Sequence, residues 1–225
     1  MRVWSRVLDF PLFSLLAMAE PLDLVAPLGT DQLDRIEELR FTFNTERDGV
    51  RKSTRAWTWR PGDGTVTRTI DGKSLTFRFG RPANEDEKKA DWQFVNDSFW
   101  LLPHLHARWA GSDLTVTDGG EVTGPLGVGE VRKVTLTYAQ TSGGYSPGDA
   151  YDLFLDPQGR MVAWHYREGG QTEPSMTTTF EGWVEVGPLW IATEHRDARA
   201  LETPGKGFRL FFTDLAVVTR PAPAP

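Results

Sequence analysis

Four histidines and a run of aspartates are the residues of this 225-residue chain best suited by type to chemistry. His104 and His106 flank Leu105, so in an extended segment they share a face. A metal site there needs a third ligand, from His165 or His195, brought in by the fold. Without it they are surface or hydrogen-bonded histidines, and we assign no metal. Asp149, Asp152 and Asp156 lie in or beside "GDAYDLFLD". On a strand Asp152 shares a face with Phe154 and Asp156, while Tyr151, Leu153 and Leu155 point the other way. "DPQG" is turn chemistry, which makes Asp156 a turn former, and Asp149 is read as a brace for the preceding "GGYSPG" loop. Glu194 and His195 are adjacent on a strand-like segment and therefore face opposite sides, which argues against a base and its orienting partner. With no Ser-His-Asp spacing, phosphate loop or dinucleotide fingerprint, we name no catalytic residue and no cofactor.

Composition narrows the classes further. The formal net charge is −6 and there is no basic stripe, so the counterion release that drives nucleic-acid binding is missing. The absence of cysteine removes disulfides, thiolate metal sites and a lipidated cysteine. At the start, Arg2 and Arg6 precede "FPLFSLLAMA", closed by Ala17-Met18-Ala19, a small-x-small pattern that reads as an export leader over residues 1–19 with Glu20 as the mature start. Asp9 and Pro11 interrupt that run, which is too short to span a membrane. Residues 20–218 read as one domain and 219–225, ending "RPAPAP", as a disordered Pro-rich tail.

The elements that must position any site are mostly strands. "TDQLDRIEEL" carries Leu33, Ile36 and Leu39 at helical spacing, with Thr30 or Asp31 as N-cap. From Leu39 the period changes to two: Leu39, Phe41 and Phe43 share a face, as do Trp57 and Trp59, and Leu75, Phe77 and Phe79. With "RDG", "PGDG" and "DG" as turns, residues 39–80 read as a four-stranded meander. Strand-like segments recur at 113–118, 131–139, 150–156, 160–167, 176–186, 189–198 and 207–218, about eleven strands in all. One helical insertion over 84–102 breaks the series, with Asn84 and Glu87 placed as a capping box. Its apolar stripe is Trp92, Val95, Phe99 and Leu102, and Pro103 disfavours continuation.

Two short helices cannot cover so large an apolar sheet, so the inventory predicts a curved antiparallel sheet, an unclosed β-barrel with the 84–102 helix as a lid on its concave face. The alternative is a closed barrel, in which the first and last strands pair. Phe41, Phe43, Trp57, Trp59, Phe77 and Phe79 are then candidate cavity wall, and Trp92, Val95, Phe99 and Leu102 the lid, with Glu87, Lys88 and Lys89 in water.

The order of helix, four strands, helical lid and long run of strands resembles the LolA/LolB-like superfamily, the lipoprotein carrier and receptor fold. So do "NDSFWLLPHL" and the hairpin "GGYSPGDAYDLFLDPQGRMVAWHY", and the resemblance covers roughly residues 30–218. It implies a monomeric periplasmic carrier, soluble because the receptor's lipidated cysteine is missing, that holds the acyl chains of a lipidated protein or another lipid. It also implies an inner- or outer-membrane partner protein and a basic residue on an early strand that holds the lid closed, for which Arg55 and Arg60 are candidates by position. An envelope sensor using the same cavity, or a small-molecule enzyme on the same fold, are the competing readings.

Overall fold

A computed structural model describes residues 35–103, 106–107, 113–141 and 145–220. The leader at 1–19, the N-cap candidates Thr30 and Asp31, His104 and the final "PAPAP" lie outside the described residues. The first strand, β1 (Ile36–Arg47), begins inside the segment read as a helix. Ile36 pairs with Thr219 and Leu39 with Trp59, so ladder bonds decide its conformation. A register shift between Ile36 and Glu38 hid the alternation, because it buries both Ile36 and Leu39 three residues apart; Glu38, on the face opposite Leu39, is buried and gripped by Arg40 and Arg60.

β2 (Val50–Arg60), β3 (Thr65–Ile70) and β4 (Lys73–Arg78) complete the meander. Its concave face is built in rows. Leu39, Trp59, Val66 and Phe77 pair across one row, and Phe41, Trp57, Arg68 and Leu75 across the next. After α1 (Glu85–Leu101) come β5 (Leu114–Thr123), β6 (Glu130–Tyr138), β7 (Ala150–Leu155), β8 (Met161–Arg167) and β9 (Met176–Thr179). β10 (Glu181–Val186), β11 (Leu189–Arg196), the single turn α2 (Ala198–Glu202) and β12 (Phe208–Thr219) follow. Thr219, assigned from sequence to the tail, therefore belongs to the last strand, and Arg220 still donates its N–H to the Arg35 carbonyl.

Hydrogen bonding divides the strands into a seven-stranded sheet, β10-β11-β12-β1-β2-β3-β4, and a five-stranded sheet, β5-β6-β7-β8-β9, all antiparallel. Only Phe180 separates β9 from β10. Its N–H bonds to Val162 on the β8 side, and directly after it Glu181 pairs with Glu194 of β11. Residues 176–186 are thus one bent strand that belongs to both sheets, and counting it once gives eleven positions around an open curve. Gly182 permits the bend: its φ is +63°, and a Cβ there would lie 2.6 Å from Thr193 Oγ1. First and last strands do pair, β1 with β12, but the curve is open elsewhere, with β4 and β5 as its unpaired outer strands.

One apolar cluster joins the inner faces of both sheets to α1. The helix starts where the capping box placed it: Asn84 Oδ1 accepts from the Glu87 N–H at 3.0 Å, and Glu87 Oε2 accepts from the Ala83 N–H at 2.8 Å. It ends at Leu102, whose N–H bonds to the Ser98 carbonyl. Lys88 and Lys89 are exposed and Glu87 partly so.

Candidate functional site

α1 carries two working faces. Ala90, Phe94, Asp97, Ser98 and Leu101 recur at helical spacing and are buried. Phe94 is the centre of that face, with its ring 5.4 Å from Trp57, 5.9 Å from Trp59, 5.4 Å from Phe79 and 6.5 Å from Phe41. Burying it contributes about 1.5–3 kcal/mol to docking of the helix. The six wall residues inferred from sequence accordingly form closed core. Phe41, Phe43, Trp57, Trp59 and Phe77 are buried, Phe79 packs against them, and Phe94, absent from the expected stripe, fills the space they were expected to leave.

The same face carries a polar fastening. Asp97 is fully buried and accepts from Arg55 Nε and Nη2, both at 2.7 Å, from Trp57 Nε1 at 2.8 Å and from Asn96 Nδ2 at 3.1 Å. The Arg55 guanidinium also stacks over Phe43, 4.6 Å from the ring centre. Burial pushes the Asp97 carboxyl upward from the usual range; Arg55, Asn96 and Trp57 pull it back. Of the two basic candidates, Arg55 meets the helix and Arg60 is committed to Glu38. A second tie runs from Arg68 Nη1 to Gln93 Oε1 at 2.6 Å.

The other face of α1 borders a cavity of about 210 Å³. Trp92, Val95, Asn96, Phe99 and Trp100 form its helical side. Opposite lies the row Tyr151, Tyr166 and Met176, paired across β7, β8 and β9, with Trp164 beside it. Tyr145, Ser146 and Asp149, from the β6–β7 connection, close one end. Trp92, Val95 and Phe99 therefore do share a face, but they meet the five-stranded sheet rather than the Phe41, Trp57 and Phe77 side. Trp92 is 50% exposed at the mouth, whereas Leu102 turns away into the core at 1%. Phe99 lies deepest, 4.6 Å from the Tyr151 ring and 5.6 Å from that of Trp164.

The cavity residues that the sequence reading missed are mainly aromatic and come from β7 to β9. Alternation in "AYDLFLD" had already put Tyr151 with Leu153 and Leu155, but nothing in the pattern told an open part of that face from a filled one. Asp149 was read as a loop brace. Its backbone N–H does bond to Ser146, yet its carboxylate accepts from the Gly169 N–H at 2.9 Å and the Tyr166 hydroxyl at 3.1 Å, on the β8–β9 side. The Tyr145 hydroxyl donates to Asp91 at 2.8 Å. Burial pushes the Tyr151 and Tyr166 phenols up, and it is also the largest influence raising Tyr145 to about 12. All three are neutral at ordinary pH, and Tyr145 and Tyr166 act as donors.

The remaining polar candidates are structural. Asp156 accepts from the Gln158 and Arg160 N–H groups and forms the turn. Asp152, on the outer face, accepts from Thr135 and Arg167 and lies near His165. His106 meets Ser98 Oγ at 2.9 Å. His195 is buried among Trp100, Phe180 and Phe212, with Nδ1 donating to the Thr179 carbonyl. Glu194, on the opposite face, is paired with Arg209. Among the described residues no three His, Asp or Glu side chains cluster to hold a metal.

The chain is similar to solved structures over most of its length. A LolA superfamily protein from Nitrosomonas europaea matches over 90% of this chain and 96% of its own, at 9% identity and a TM-score of 0.49. A DUF1329 family protein from Desulfovibrio piger ATCC 29098 matches over 88% and 91%, at 14% identity and a TM-score of 0.46. No family model and no curated protein matches the chain. The fold stands on the strand order and hydrogen bonding given above.

Proposed function

We propose that the protein is a carrier or binding protein for a hydrophobic ligand, held between α1 and the Tyr151–Tyr166–Met176 row. One observation carries the reading: a cavity walled by aromatic rings lies under a helix whose opposite face is fastened by Arg55 and Asp97. Apolar wall area is what an alkyl chain requires, at about 0.8 kcal/mol for each methylene removed from water. Ligand sites commonly measure ~300–1,000 Å³. At about 210 Å³ this cavity holds the end of an amphiphile, and a longer one requires α1 to lift. The ligand classes that fit are a lipid or the acyl chains of a lipidated protein, delivered to or from a membrane partner in the periplasm. Among the described residues no helix is long and apolar enough to cross a membrane.

The polar groups at the cavity orient rather than react. Asp149 is occupied by Tyr166 and Gly169, and the phenols are held neutral, so the reading is of a binder and not of an enzyme. Native mass spectrometry of protein purified without detergent tests this and should show a co-purifying amphiphile. Delipidated protein should then bind the neutral dye N-phenyl-1-naphthylamine with saturable fluorescence enhancement, which Phe99→Asp removes. A folded protein that shows neither adduct nor saturable dye binding refutes the proposal.

A further inference from the structure

The cavity has a sign. Of the described side chains that border it, Asp149 alone is charged, and no lysine or arginine among the described residues lines it. Asp149 is 9% exposed and takes part in no ion pair among the described residues; its carboxylate partners are a hydroxyl and an amide. Asp91, 1% exposed, stands behind Tyr145 in the same way, with the Gly80 N–H and the Tyr145 hydroxyl as its donors. Three other buried carboxylates are paired with cations: Asp97 with Arg55, Asp152 with Arg167, Glu38 with Arg40 and Arg60. Leaving a nearly buried carboxylate without a countercharge is costly unless something supplies one.

Around Asp149 the walls are faces and edges of π-systems. Tyr151 and Tyr166 lie 5.2 Å apart, Tyr151 and Trp164 5.3 Å, Trp100 and Trp164 4.4 Å, and Trp92 stands half exposed at the mouth. Rings attract a cation over their faces by about 2 kcal/mol or more when water is excluded. Two of the phenols, Tyr145 and Tyr166, also donate to carboxylates, which leaves their rings richer in electrons. An anionic head, such as a fatty acid carboxylate, finds neutral donors here in Asn96, Ser146 and the Trp164 indole N–H but no countercharge among the described lining residues, and it meets the Asp149 carboxylate and ring faces, both repulsive to it.

We propose that this cavity receives the cationic end of an amphiphile, a quaternary or primary alkylammonium held by the rings of Trp92, Tyr151, Trp164 and Tyr166 and the carboxylate of Asp149. This rests on the carrier reading above and names the chemistry of its ligand. The small volume agrees, since an ammonium head with its methyl groups fills such a space while the alkyl chain leaves past Trp92.

The test compares ligands that share a chain and differ in head. Calorimetric titrations at low salt, below the micelle thresholds, use decyltrimethylammonium, decanol and decanoate, with tetramethylammonium as the head alone. The cation should bind at least tenfold more tightly than decanol, and decanoate more weakly than either. Asp149→Asn removes the charge, keeps Oδ1 as acceptor for the Gly169 N–H and reverses the bond to Tyr166, the amide NH2 donating to the hydroxyl oxygen; it should reduce the cation's advantage over decanol to under threefold. Trp92→Leu, at an exposed position where folding is not at stake, should reduce it by about threefold while circular dichroism stays native. Equal binding of cation and decanol, or tighter binding of decanoate, overturns the ammonium site and leaves the carrier reading standing. Binding of tetramethylammonium with no contribution from the chain supports the site and removes the carrier reading, and binding of none of the four overturns both.

Discussion

Removing the Asp97 carboxylate by Asp97→Ala separates a lid from an ordinary core helix. The substitution takes the acceptor from four donors at once: Arg55 Nε and Nη2, Trp57 Nε1 and Asn96 Nδ2. Asn96 is exposed and finds water. Arg55, whose side chain is 14% exposed, keeps Ser53 Oγ at 3.1 Å and the Phe43 ring but no carboxylate, and the buried Trp57 indole N–H loses its acceptor. Breaking a buried pair from one side costs about 3–5 kcal/mol. The location of the loss matters more than its size. A 17-residue helix owes its stability to docking, so its amides open without global unfolding. Amide exchange within α1 should accelerate by a factor of about 10²–10³, the equivalent of 3–4 kcal/mol, while β1, β2 and β12 change by less than tenfold. Dye association should accelerate in parallel. Replacing both partners with leucine should recover most of the loss, since buried pairs are readily exchanged for apolar packing. Equal loss of protection in helix and strands would show that Arg55 and Asp97 brace a single cooperative core and that α1 is no lid.

Phe99→Asp should abolish dye binding at a cost of about 3 kcal/mol, near the lower end for loss of a large buried ring, because water reaches the new charge through the cavity. Failure of that variant to show native sheet by circular dichroism at 25 °C refutes it. His195 gives a pH dependence. Burial pushes its pKa down to about 3, so below 6.5 the unfolded chain takes up a proton that the folded chain refuses. Stability should be full above pH 6.5 and fall as pH drops toward 3, by about 2 kcal/mol at pH 5. Urea unfolding at pH 7 and 5 measures it, and a His195→Gln protein with the same decrement would exonerate the histidine. Asn84→Ala should weaken α1 by about 1 kcal/mol through its lost cap, visible as faster exchange of the Glu87 amide and unchanged exchange in the strands.

Strand positions were legible because alternation survives wherever one sheet face is buried. Phe41 and Phe43, Trp57 and Trp59, and Tyr151, Leu153 and Leu155 all share the inward side that their spacing assigns. The reading failed at a register shift and where a helix buries a charge. The shift between Ile36 and Glu38 made the start of β1 look helical, and Asp91 and Asp97 broke the inner stripe of α1. Both aspartates are buried because donors await them, from Gly80 and Tyr145 for one and from Arg55 and Trp57 for the other. Those donors are distant in sequence, so hydropathy scores the carboxylates as solvent-facing. With Asp97 counted as outward, the phase of the helix rotates and Phe94 drops out of its buried face. A charged residue inside an aromatic-rich helix, matched by an arginine on a strand of aromatics, is the signal that would have recovered it.

Which wall is open was not legible at all, because it depends on the angle between the sheets. The bend at Phe180 turns the strand out of the β8 ladder and into that of β11, and the two sheets then face each other across α1. A helix between two sheets must satisfy both, hence its two stripes, but the stripes differ in kind. Toward the seven-stranded sheet it presents Phe94 and Asp97 to partners that complete them. Toward the five-stranded sheet it presents Trp92, Val95 and Phe99 to a row of tyrosines whose hydroxyls are already engaged or desolvated, and contact remains incomplete. Such a helix is anchored on one side and underpacked on the other, so on the carrier reading proposed above the cavity would enlarge by movement of α1 away from Tyr151 and Tyr166 about the Arg55–Asp97 contact. Sequence reading put Trp92, Val95 and Phe99 on one helix face, wrongly added Leu102, and aimed that face at the wrong sheet, since only the bend decides which sheet it meets.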